Sequence, residues 1–195
     1  QTSHFGLGLL ANGGNDEAHD VFDEPRLGDI VERALFVTKP LKSFMSGAFA
    51  DNLLLIGGFD LVYRDDNANL IDGDIGMQGV FSLMYKSEPF TGGVYVAIRE
   101  QEDADGDTLS AQAYDAFFRF NHKFNTFNAR LTVAAEAAMI RGETTRAMYE
   151  QAPDGVDVQG IGGAIQLSYE LRDWGLEARY EVGYASGDND RNDGL

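Results

Sequence analysis

Between residues 175 and 184 apolar and charged side chains change places at every step, and few folds tolerate that period. Leu176, Ala178, Tyr180, Val182 and Tyr184 fall on one side, with Glu177, Arg179 and Glu181 on the other. A helix, at 3.6 residues per turn, would scatter these groups around its circumference. A β-strand turns successive side chains to opposite faces and keeps each set together. The same alternation returns along the chain. Ile161, Ile165, Leu167, Tyr169 and Leu171 alternate with Ala164, Gln166, Ser168 and Glu170. Tyr114, Ala116, Phe118 and Phe120 alternate with Asp115, Phe117, Arg119 and Asn121. Further runs lie at 81–85, 94–98 and 53–63, and less regular ones at 3–11 and 30–38. Residues 129–139 alternate too, although their alanines also suit a helix. About nine strands are expected.

The connections carry as much information as the strands. Residues 86–92, 122–126 and 171–174 read as tight turns, whereas 65–76, 101–110, 142–157 and 186–195 read as longer, acidic, glycine-bearing loops. Short and long connections are thus expected to alternate strictly, as in an up-and-down meander with turns at one rim and loops at the other. Together with strands of ten or more residues, this is the pattern of an outer-membrane β-barrel. A soluble β-sandwich also alternates, but its strands average about 5–6 residues and nothing makes its loops alternate in length. The expected fold class is therefore all-β: an antiparallel up-and-down transmembrane β-barrel, partial, forming one domain over residues 1–195. Barrels of this kind close with an even strand number, and the chain opens Gln1-Thr2-Ser3 without Met or a basic flank. The expectation is a fragment, incomplete at both ends.

In such a barrel the apolar face meets lipid and the other face lines the lumen. The lumen-facing candidates are Arg64, Arg99, Asp115, Arg119, Arg130, Glu136, Glu170, Glu177, Arg179 and Glu181, with Asp60 on the same side. Five arginines and six acids cannot fill a dry interior, because buried unpaired charges are costly; they suit a hydrated lumen of little ion preference. The alternative is the solvated face of a one-sided sheet. Tyr63, Tyr85, Phe90, Phe124, Phe127, Tyr169, Trp174 and Tyr184 stand near strand ends, where interfacial aromatic girdles form. The β-propensity of aromatics would place them similarly.

Composition removes several function classes. Fifteen Lys+Arg against 32 Asp+Glu leave a net charge of −17, which argues against nucleic acid as a partner. Without cysteine there are no disulfides, thiol nucleophiles or cysteine-held metals. The three histidines, His4, His19 and His122, are too far apart in sequence to suggest a metal site or a triad. The longest apolar run, 53–59, has seven residues, against about 20 for a membrane helix. No Ser with an orienting His stands out and no pair of carboxylates is singled out, so no enzyme activity is expected.

Three loops are dense in carboxylates. Asp103, Asp105 and Asp107 in one, and Asp188, Asp190 and Asp193 in another, space oxygen ligands around a glycine as a Ca²⁺ loop does. Neither reproduces the twelve-residue EF-hand pattern, and a solvated acidic loop accounts for them equally. Calcium at the outer loops is the one metal these residues suggest, and no other cofactor is expected.

Two segments carry a family resemblance. Glu181-Val182-Gly183-Tyr184-Ala185-Ser186-Gly187-Asp188-Asn189-Asp190, continuing to Asn192-Asp193-Gly194, resembles a strand-to-loop segment of alginate-export-type outer-membrane porins. Residues 4–12 with 28–38 are similar to the N-terminal half of a related, poorly characterised family of large Gram-negative outer-membrane barrels. The resemblance implies a barrel of roughly 16–18 strands in a Gram-negative outer membrane, in contact with lipid and lipopolysaccharide, passing small solutes or a polysaccharide. Alginate porins line their pore with a positive patch; this inward set is near neutral, so no pore residue is carried over. A porin-like channel is the expected function. The alternatives are a non-conducting surface or adhesion barrel with divalent-binding loops, and a soluble β-sandwich binding module.

Overall fold

The computed structural model describes residue 7 and residues 30–65, 68–146 and 155–186. Within them one antiparallel sheet contains every strand: β1 (Ile30–Thr38), β2 (Leu53–Arg64), β3 (Ile75–Lys86), β4 (Phe90–Glu102), β5 (Thr108–Phe124), β6 (Ala129–Thr144), β7 (Val156–Leu171) and β8 (Leu176–Ala185). The sheet order is β1 to β8 in sequence, so each strand pairs with its chain neighbours and no connection crosses over. β1 and β8 are its two edges and do not pair with each other; the sheet is all-β, up-and-down and open. The alanine-rich stretch resolves as β6, because its period-two partners on β5 and β7 pair along its whole length. That tertiary pairing outweighs the helix preference of alanine.

The alternation of connection length holds only in part. Three turns at one rim are tight: 87–89, 125–128 and 172–175. The β1–β2 connection, residues 39–52, lies at that same rim, and it contains a short 3₁₀ turn (Pro40–Ser43) and the helix α1 (Ala48–Asn52). The expected loop at 101–110 contracts to 103–107, since β4 and β5 pair as far as Glu102 and Thr108. In the β5–β6 turn Phe127 (φ 57°) and Asn128 (φ 47°) adopt left-handed backbone. Asn tolerates this readily but Phe does not, and the Phe127 ring sits edge-on to Trp174 with centroids 5.7 Å apart. Gly175, at φ 62°, ends the β7–β8 turn in the conformation a glycine accepts at no steric cost.

Eight strands stand where about nine were expected. The missing one falls at 3–11, mostly outside the described residues. Leu7, the one residue described there, is not in a strand. It lies against the middle of the sheet, where its N–H donates to Glu136 Oε1 on β6 at 3.1 Å.

The two faces of the sheet differ in character. Phe36, Phe59, Phe81, Val94, Phe118, Ile165 and Val182 are all exposed, between 41% and 65%, and they share the outer face. Asp60, Asp115 and Glu136 are at most 4% exposed, and they share the inner one. Aromatic side chains frame the outer face at the tight-turn rim. Tyr85 lies between Phe49 and Phe90, at centroid distances of 5.6 and 6.1 Å, and His122 lies between Phe120 and Phe124.

Candidate functional site

The inner face is built as cross-strand rows, because paired residues on neighbouring strands point the same way. Arg33 on β1, Asp60 on β2, Gln78 on β3 and Arg99 on β4 form one such row. Arg33 donates from Nε to Asp60 Oδ1 at 2.5 Å and from Nη2 to Oδ2 at 2.6 Å. Gln78 adds a longer contact to Asp60 Oδ2 at 3.4 Å. The Arg99 guanidinium closes the row on the loop side, donating to Asp65 Oδ2 at 2.5 Å and to Gln101 Oε1 at 2.6 Å. The two-pronged Arg33–Asp60 contact is the strongest kind of hydrogen bond available here, and it ties β1 to β2 at this level.

All ten lumen-facing candidates lie on this face by strand parity and pairing. Arg64 ends β2 beyond Asp60, and Arg99 stands opposite Gln78. Asp115 faces Ala138, Arg119 faces Ala134, and Glu136 faces Phe117. Arg130, Glu170 and Glu177 form a row toward the tight-turn rim. Ser168 Oγ donates to Glu177 at 3.2 Å and Gln166 Nε2 to Glu181 at 3.2 Å. Arg179 lies 3.5 Å from Glu177, and both are half exposed. These residues share one side of the sheet, where they form several small clusters and not one continuous charged lining.

Two features escaped sequence reasoning. Arg33 was not singled out, because β1 is short and irregular and its charge partner is 27 positions away. The inner face also has an apolar patch, Ile56, Val80, Tyr95 and Phe117, with Leu7, Leu54, Met84 and Ala97 packed against it. The inner face therefore carries a packed apolar patch beside its charged residues. Phe117 and Tyr95 each occupy a polar-parity position in an otherwise alternating strand, and that break of pattern was the available signal.

Among the described residues no three acidic or histidine side chains converge. The Asp103 carboxylate is taken up by its own loop: Oδ1 accepts from the N–H groups of Asp105 (3.1 Å) and Asp107 (2.9 Å), and Oδ2 accepts from Arg146 Nε (3.1 Å). Asp103 therefore caps its own turn. Asp188, Asp190 and Asp193, with most of the second half of the porin-like segment, lie outside the described residues.

Burial raises the Asp103 carboxyl, but the Asp107, Asp105 and Arg146 donors outweigh it and hold the group below its ordinary range. A carboxyl lowered by folding supports the folded loop at neutral pH and loses that support as pH falls through the lowered value. Arg146→Ala is expected to move the Asp103 titration upward, followed by carboxyl NMR; an unmoved titration would refute the contact. At the opposite rim Lys123 donates to Glu88 at 2.8 Å and lowers its carboxyl by that hydrogen bond and its charge.

Comparison with protein-family models, with curated proteins and with solved structures finds no match.

Proposed function

We propose that this sheet is part of the wall of a membrane-embedded β-barrel that acts as a porin-like channel in a bacterial outer membrane. The observation that carries the reading is the contrast of its faces: large apolar side chains cover the accessible face, while the sheltered face buries the acids Asp60, Asp115 and Glu136 beside an apolar patch. Water selects the reverse, and a lipid-embedded barrel selects this. Strands of 9 to 17 residues match the roughly 9–11 that span a bilayer when tilted. A soluble sandwich would put its apolar face inside, against a second sheet. The resemblance of residues 181–190 to alginate-export-type porins favours the same reading. The partners would be lipid and lipopolysaccharide outside and small polar solutes within.

The test is ionic current through planar bilayers containing the full-length protein. Discrete conductance steps are expected. A folded, inserted protein that passes no current would reject the channel in favour of a non-conducting surface barrel. Retention of a folded monomer without detergent would reject membrane insertion itself.

A further inference from the structure

We infer that Asp115 and Glu136 form a binding site for a small organic cation, an alkylammonium group, on the inner face of the sheet. The two carboxylates stand in adjacent inner-face rows on β5 and β6: Asp115 opposite Ala138, Glu136 opposite Phe117. Asp115 is 4% exposed and Glu136 2%. Among the described residues neither oxygen of Asp115 receives a hydrogen bond, whereas Glu136 accepts one from the Leu7 N–H. Asp60, equally sheltered, shows what this face does with an acid it neutralises internally: it supplies a guanidinium. Asp115 is given no such partner, and a buried carboxylate without one is among the most expensive arrangements a protein can hold.

The surroundings specify the missing partner. On one side stand two aromatic rings, Tyr95 opposite Asp115 and Phe117 opposite Glu136. On the other the same two rows continue as Ala138–Gly162 and Ala164–Gly183, with no side chain larger than a methyl group. Two carboxylates therefore lie between an aromatic wall and a low floor. A hard divalent ion wants six to eight oxygens, and among the described residues only two acidic side chains are here. An alkylammonium group has three donors for the carboxylate oxygens, a charge that aromatic faces attract, and an alkyl body for the alanine and glycine floor. The site depends on the inner-face placement of these residues and not on conduction.

The probe is n-butylammonium, titrated calorimetrically into the full chain folded in detergent at about pH 8, where ordinary carboxyls are ionised. Saturable binding is expected, weakened about tenfold or more in Asp115→Asn, the loss of one charge-assisted hydrogen bond. Ala138→Leu keeps both carboxylates but fills the floor, and it should weaken binding similarly; it tests the site even if Asp115→Asn does not fold. Three results would overturn the inference: no saturable binding, as for a pair that only shares a proton; equal binding by wild type and both variants; or binding of Ca²⁺ in preference to the amine. A conducting protein that fails this titration would refute the site alone, and a binding protein without current would refute the channel alone.

Discussion

Phe81→Arg is expected to destabilise the lipid-inserted protein by about 2–4 kcal/mol, the cost of a cation at mid-depth on a barrel's lipid face. Phe81 lies at the middle of β3, on the outer face, 59% exposed. If that face met water, an exposed Phe→Arg change away from any special contact would shift stability by no more than about 0.5 kcal/mol. The two environments thus predict results that differ several-fold. Tyr63→Arg provides the depth control. Tyr63 also faces outward and is 41% exposed, but it lies at the loop end of β2, where the penalty should fall to about 0–1 kcal/mol. Urea unfolding from lipid vesicles measures both. Equal, small effects at the two positions would remove the membrane reading.

Arg33→Met should cost about 3–5 kcal/mol, because it leaves Asp60 charged, buried and held only by the long Gln78 contact. Asp60 is 0% exposed and the Arg33 side chain 19%, so solvent can relieve little of that charge. The double variant Arg33→Met/Asp60→Leu should recover most of the loss, since removing both charges removes the desolvation cost along with the attraction. Failure of the double variant to recover would mean that the Arg33 stem, not the ion pair, holds β1 to β2. Chemical denaturation of the folded protein, read by circular dichroism, distinguishes the two.

The positions of the strands were legible because a strand's period is a local property. Leu176 to Tyr184 could be assigned to one face without knowing what lies beside them, and each of the eight strands contains one of the alternating runs, although β3, β5, β6 and β7 extend beyond theirs at the loop rim. The inward set from Arg64 to Glu181 was legible for the same reason: parity alone assigns each residue to a face. Loop lengths were less legible. Residues 101–110 look like a loop in isolation, and only the pairing of Glu102 with Thr108 extends the strands into that acidic stretch.

Partnership between residues on the inner face came from tertiary structure alone. Alternation places Asp60 and Asp115 on one face and is silent about which acid receives a guanidinium. Strand register decides this, by setting Arg33 opposite Asp60 and Asp115 between Tyr95 and Ala138. The same holds for Leu7, whose N–H meets Glu136, 129 positions away. Periodicity determines the two faces because side-chain direction follows from the backbone of a single strand. Contacts across strands depend on register, which local sequence does not contain.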